Sequence, residues 1–459
     1  MGNNNSSKKR RSRRGRLSVC EVTRIVDSLD GSCNTDLSKG VSVEVVKTLW
    51  REELVPSLLV LYQEELFPLS GGRSRKTVEE FAELYVNLAR GDTAERARAI
   101  ARVLMEPKRR QLYLHEKTTP EKHLEPILLA SLVKYVSDVL ESYLRGIERR
   151  RTREFLSWQS AVSCAKENVF NVARCWCVEL ESDSSEVSLD DLELWVARCG
   201  VMSLLHKELM TALYNLESDE MERDATTDER VSLLPVAMNT SDTAVTHSVL
   251  DLAHILHLNY LLNQDYQRQW RPLFSTGSHG ESFSMLVGKI AERGPTIIVV
   301  EDEAGHVFGG VTSHSWLVSP KFQGDSTCFL FTLRPQVTVF HASGFNDHFM
   351  YLNQNQSTMP NGLGMGGQLN YWGFWLDAEF GKGKCSESCT TFSNYKTMSA
   401  TREFTIKHLE VWGVGPAPLS AEDKGERPGI LVKDPTARCI LEMAGKTQHS
   451  AGMKELDPQ

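Results

Sequence analysis

The chain has 459 residues, 41% hydrophobic and 24% charged, an ordinary globular composition with length for about two or three domains and a sizeable core. No uninterrupted apolar run approaches the roughly 18 residues that cross a bilayer, and the basic start leads into no signal-peptide core, so a spanning or secreted protein is excluded and a cytosolic one expected. The net charge of −8 is uneven: Lys8, Lys9, Arg10, Arg11, Arg13, Arg14 and Arg16 precede any acid, which leaves −15 on the remainder, so tail and body face different partners.

Residues 1–40 read as a tail. Met1-Gly-Asn-Asn-Asn-Ser6 fits the N-myristoylation pattern, with Gly2 as the acceptor once Met1 is removed. One acyl chain holds a membrane only marginally, and each nearby Lys or Arg adds about 1 kcal/mol of attraction to an anionic cytosolic leaflet. Acyl chain and basic run together make a two-signal anchor on anionic lipids. The same run also fits a nuclear-localisation or nucleic-acid patch. Nothing downstream supplies the basic, aromatic-interleaved surface of a nucleic-acid binder, so no nucleic-acid partner is expected.

From 41 to 217 the apolar residues recur at helical spacing, as in Val45, Leu49, Leu54, Leu58, Leu59 and Tyr62, which predicts an all-helical domain. Helices are expected near 77–90, 94–105, 123–148, 154–180 and 188–215, with Ser70-Gly-Gly-Arg73 as a loop. Thr77-Val-Glu-Glu-Phe81 and Ser188-Leu-Asp-Asp-Leu192 resemble the ends of EF-hand calcium loops running into their exit helices. Counting back puts Leu69, Gly71 and Arg73, and Leu180, Ser182 and Ser184, where calcium needs oxygen ligands, so the expectation is degenerate, metal-free EF-hand-like helix pairs, with plain helix packing as the equal alternative. The run Arg149-Arg-Arg-Thr-Arg153 reads as a solvated face or a further contact with anionic lipid or an acidic partner. Residues 218–230, acidic and without apolar periodicity, read as a linker.

From 231 to 414 the character changes. After a helix at 245–263, short apolar strands follow with turns between them: Ile297–Val300 and Val307–Val311 flanking a hairpin, then Cys328–Leu333, Val337–Phe340, Phe349–Leu352, Tyr371–Leu376 and Leu409–Gly413. Many strands with few helices point to a β-sandwich with flanking helices, and the whole chain to the α+β class.

Trp270-Arg-Pro-Leu-Phe-Ser-Thr-Gly-Ser-His-Gly-Glu-Ser-Phe283, Gly309-Gly-Val-Thr-Ser-His-Ser-Trp316, Phe329-Leu-Phe331, Asn361-Gly-Leu-Gly-Met-Gly-Gly367 and Glu410-Val-Trp-Gly413 resemble, in order and spacing, the signature blocks of the TLDc family. Together with the Met-Gly start, the helical front and Gly344-Phe-Asn-Asp-His-Phe-Met-Tyr-Leu-Asn353, they are similar to its mTOR-associated members. That resemblance implies residence at the cytosolic face of the lysosomal membrane, binding to the vacuolar proton ATPase, and contact with mTOR complex components.

Candidate acid–base residues are Glu301, Asp302, His279, His306, Asp347 and His348. Ser275 and Ser278 lack a nucleophile-elbow context, and no residue pattern specifies a reaction, so a non-enzymatic adaptor is expected. The alternative is the antioxidant or enzymatic module that the family's association with oxidation resistance suggests. Gly362, Gly364, Gly366 and Gly367 are followed by an aromatic strand rather than by a phosphate-binding helix, and read as a tight turn. The ten cysteines are scattered; neither Cys175 with Cys177 nor Cys385 with Cys389 has visible metal-ligand partners. No cofactor or metal is implied.

Residues 415–459 form a linker and a C-terminal helix. Asp434 serves as N-cap, Pro435 fits the first turn and Gly445 the stop. Leu431, Ala437, Ile440, Leu441 and Ala444 make an apolar stripe that must dock, either on its own domain or in a partner groove. The resemblance favours the partner: Ala437, Ile440, Leu441 and Ala444 would enter the ATPase while the TLDc domain grips it elsewhere, with avidity from two linked sites.

Overall fold

The computed structural model describes residues 17–33, 40–68, 75–105, 126–181, 185–216, 233–238, 247–369 and 371–418. They divide into two compact units, one within Met1–Phe155 and Cys164–Arg230, the other within Leu156–Ser163 and Val231–Gln459. None of the described helices is long and apolar enough to cross a membrane.

The first unit is built from helix–loop–helix pairs. Helices α1 (Val19–Cys33) and α2 (Val43–Trp50) flank strand β1 (Val41–Ser42); α3 (Pro56–Leu66) and α4 (Val78–Ala89) flank β2 (Arg75–Lys76). The two short strands pair antiparallel, Val41 opposite Lys76. The arrangement repeats: α5 (Thr93–Leu104) and α6 (Leu129–Arg149) flank β3 (Ile127–Leu128), and after α7 (Arg153–Trp158), α8 (Lys166–Trp176) and α9 (Leu189–Arg198) flank β4 (Glu186–Val187). There Ile127 stands opposite Val187.

The caps explain where exit helices begin. Thr77 and Glu80 form a reciprocal capping box at the start of α4, and Ser188 Oγ accepts the Asp191 N–H at the start of α9, each satisfying amides that the first turn leaves orphaned. Helix α10 (Gly200–Leu213) completes the unit. Several buried polar groups pair within the unit: Trp50 Nε1 donates to Leu213 O at 3.0 Å, Tyr214 Oη to Phe81 O at 2.7 Å, and Tyr135 Oη bonds both Tyr62 Oη and His206 Nε2.

Two expected helices are each broken. The stretch 154–180 divides because Leu156–Ser163 belongs to the second unit, and 188–215 divides at Cys199-Gly200, where Cys199 leaves helical geometry at ψ 66. The basic run is anchored rather than free at its start, since Arg149 and Arg150 both pair with buried Glu53.

In the second unit, β5 (Val236–Ala237) lies parallel to β6 (Gln269–Ser275); all other strand pairs are antiparallel. The remaining strands are β7 (Thr296–Asp302), β8 (Val307–Val311), β9 (Ser319–Gln323), β10 (Phe329–Arg334), β11 (Thr338–His341), β12 (Met350–Asn353), β13 (Gly362–Gln368), β14 (Tyr371–Asp377), β15 (Lys382–Lys384) and β16 (Glu403–Val414). Their order is β11-β10-β8-β7-β16-β15-β14-β13-β12-β9, with β6 on β16. Twelve-residue β16 joins the halves, pairing β15 through Glu403–Thr405 and β7 through Ile406–Gly413. One core cluster takes side chains from both halves, among them Phe308 and Leu330 from one and Met365 and Phe374 from the other. A Cβ on Gly373 would meet Leu330 at 3.3 Å. Sheet therefore packs on sheet, as the many short strands with few helices implied.

Helix α11 (Leu252–Leu261) is buried through most of its length, as an apolar-all-round sequence requires. A one-turn helix α12 (Thr276–His279) follows β6, and α13 (Phe283–Ile290) lays Phe283, Leu286, Val287 and Ile290 on the core. Residues 156–163 supply a tryptophan to this unit. Trp158 is fully buried against Trp270 and Trp412, with centroids 5.8 and 4.9 Å away, and its Nε1 donates to Pro235 O at 2.7 Å.

The glycine run is not a turn. Gly362–Gln368 is strand β13, and a side chain on Gly364 would strike Trp372 and Trp375. The glycines leave room for two stacked indoles whose centroids are 4.4 Å apart. At Gly366 and Gly367 φ is +71 and +86, a backbone glycine adopts without penalty.

Candidate functional site

All but Asp347 of the acid–base candidates named from sequence have a local structural task, His306 Nδ1 lying 3.4 Å from Met398 O. Glu301 pairs with Arg334 and Lys407. Buried Asp302 accepts the backbone N–H groups of His306 and Ala400 at 2.8 and 3.0 Å. His279 Nδ1 accepts the Ser275 N–H, and burial and Lys289 hold that imidazole below its ordinary pKa. His348 Nδ1 donates to Gly367 O at 2.6 Å, its ring stacked 4.2 Å from Phe322, while Asp347 is exposed. Asp347 and His348 thus form no relay, and Ser275 is bound up in the β6–α12 turn.

A different cluster is assembled around β16. His408 and Glu410, two residues apart, point to one side of the strand. Ser248 Oγ donates to Glu410 Oε1 at 2.8 Å and accepts the Leu250 N–H. Thr276 Oγ1 accepts the Leu409 N–H at 3.2 Å and lies 3.2 Å from His408 Nδ1. The hydroxyl keeps a second lone pair as well as its proton, so it can bond Nδ1 in either imidazole tautomer, and the other ring nitrogen is Nε2. That nitrogen faces Glu410 Oε2 at 3.7 Å, and neither atom has a hydrogen bond among the described residues. Glu410 is 2% exposed. Thr276, His408, Glu410 and Ser248 thus form a contiguous polar chain around a carboxyl group shielded from water.

Sequence reasoning missed this cluster because its members lie on segments up to 162 positions apart. The available signal was Glu410, an acid within the apolar run Leu409–Val414, since a buried acid requires partners.

Among the described residues, no group of three His, Cys, Asp or Glu side chains is arranged to hold a metal. Burial pushes the Cys175 and Cys385 thiols up to about 11, and Cys177 and Cys389 are also held above the usual thiol range. Protonated thiols are poor metal ligands. Gly2, the basic residues Lys8 to Arg16, the acidic linker and the C-terminal residues Ala437, Ile440, Leu441 and Ala444 lie outside the described residues.

The TLDc domain family model matches residues 244–415, which span α11, strands β6 to β16 and the Glu410 cluster. MTOR-associated protein MEAK7 of Gallus gallus is 34% identical over 95% of this chain and 93% of its own length. The protein of that name from Xenopus laevis is 38% identical over 82% of this chain and 80% of its own. Nuclear receptor coactivator 7 of Homo sapiens is 34% identical over 40% of this chain and 18% of its own length, a likeness limited to part of the chain. The similarity to the first two takes in the helical front as well as the sandwich, and the chain belongs to the TLDc-domain family, grouped with its MEAK7 members.

Proposed function

We propose that this protein is a lipid-anchored, non-enzymatic adaptor or regulator at the cytosolic face of the lysosome, binding the vacuolar proton ATPase and supporting mTOR signalling. The observation that carries the reading is near full-length similarity to a protein named for mTOR association. It is supported by the myristoylation pattern at Gly2 with the seven basic residues behind it, and by the tethered apolar stripe at Ala437–Ala444. The helix–loop–helix pairs of the first unit, joined by two-residue ladders, support an EF-hand-like scaffold. The test is affinity capture from a lysosome-containing lysate with three chains: full length, truncated after Gly415, and Gly2→Ala. Pump subunits on the full chain, reduced by truncation, and loss of membrane association in Gly2→Ala are expected; no pump subunits on any chain would remove the partner.

A second reading, an enzymatic or oxidation-resistance module, is favoured by the Thr276–His408–Glu410–Ser248 chain. Thr276→Val and His408→Gln variants that fold normally and leave cellular tolerance to peroxide unchanged would eliminate it.

A further inference from the structure

Phe345 is 85% exposed, although an aromatic side chain gains from leaving water. The loop that carries it is held from several directions. Ser343 Oγ donates to Thr390 O at 2.5 Å and accepts the Phe345 N–H at 3.2 Å. Asn346 Nδ2 donates to Thr390 Oγ1, and Asn346 Oδ1 accepts from both Thr391 Oγ1 and the His348 N–H. Thr391 Oγ1, fully buried, also accepts the Gly367 N–H at 2.8 Å, which ties in the turn where Leu369 is 38% exposed. Three segments are thus cross-braced so that one aromatic and one leucine face solvent.

We propose that Phe345, with Leu369 on the turn braced to its loop through Thr391, is the anchor by which the TLDc unit docks a protein partner that offers an apolar pocket with lysine or arginine at its rim. Pre-organisation is the first argument: with the loop backbone already braced, only the two side-chain torsions of the phenylalanine are left to order on binding, and aromatic anchors in desolvated pockets dominate interface energies. Charge is the second. The braced segments 343–348 and 386–391 carry exposed Asp347 and Glu387 and contain no lysine or arginine, so they complement a basic rim and are repelled by an anionic membrane leaflet. The proposal rests on the adaptor reading in one respect, that a protein partner exists; it does not require that partner to be the proton pump.

The test places a photo-crosslinking phenylalanine analogue at position 345 of the full chain and, as control, at Leu317, which is 50% exposed in the β9 approach. Crosslinks from 345 and not from 317, mapped to a partner peptide with apolar residues flanked by Lys or Arg, are expected. Phe345→Glu should weaken capture of that partner at least about tenfold and Phe345→Tyr should largely retain it, with melting temperatures unchanged because the side chain is exposed. Crosslinks to lipid, equal labelling from both positions, no crosslink, or undiminished capture by Phe345→Glu would each overturn the anchor. A crosslinked partner other than a pump subunit would keep the anchor and remove the pump.

Discussion

The indole of Trp372 lies so close over Gly364 that a β-carbon there would stand 2.7 Å from its Cε3 atom, with Trp375 Cε3 at 2.8 Å. Both rings are fixed, stacked on each other and packed with Tyr351, so neither can withdraw without displacing the rest. Gly364→Ala should therefore lower stability by about 1 to 3 kcal/mol, the cost of overpacking a filled site. Chemical unfolding read by tryptophan fluorescence checks this; an unchanged midpoint would mean the outer aromatic layer yields.

Buried histidines make stability depend on pH. Burial holds His206 and His254 down at about 3 and His257 at about 4, against 6.5 for the free side chain. The unfolded chain takes up these protons as pH falls through 6.5, and the folded chain refuses them until about 4 for His257 and about 3 for His206 and His254. Stability is thus fully present above pH 7 and lost progressively as pH falls from about 6.5 towards 3, by up to about 2.7 kcal/mol per pH unit for the two histidines of the TLDc unit. Urea midpoints at pH 7.5, 6 and 5 measure this, and a flat profile would contradict it.

Trp158→Ala should destabilise the TLDc unit by about 3 to 5 kcal/mol through loss of a fully buried indole, although the residue precedes the family match at 244 by 86 positions. A fragment beginning at Val231 should be correspondingly weakened, and adding residues 156–163 to the fragment should recover much of the loss. Equal stability with and without those residues would show the contact to be dispensable.

Ser248→Ala removes the hydroxyl that donates to buried Glu410. Leaving a buried carboxylate oxygen unpaired costs about 1 to 3 kcal/mol, and Ser248→Thr, which keeps a donor, should cost less. Thermal melting of the two variants side by side decides it, and equal losses would assign the serine to packing instead.

Local signals were legible where local chemistry decides structure. Thr77 and Ser188 as starts of exit helices, the 297–311 hairpin and the aromatic strand at 371–376 all follow from short patterns, and the α+β class follows from their order. What resisted reading depends on long-range partners. Gly362–Gln368 reads as a turn until the indoles over it are known. Residues 156–163 look like helix interior until Trp158 is found among Trp270 and Trp412. Two of the four helix–loop–helix elements, at Val41 and Ile127, lacked the acidic exit-helix pattern that marked Thr77 and Ser188. The acids and imidazoles nearest to turns drew notice as chemistry, whereas Glu410 and His408 were concealed within a strand.

Strand β16 is the last described element of the chain, yet it pairs with β6, β7 and β15 and so closes both halves of the sandwich. During synthesis, β6 and β7 emerge long before it and must wait with unpaired edges, the state in which strands are most open to wrong partners. The domain therefore finishes folding late, and a ribosome stalled or a message cut anywhere before Glu403 yields a product with its central seam open rather than a slightly shortened domain. Such products are expected to be substrates for chaperones and proteolysis.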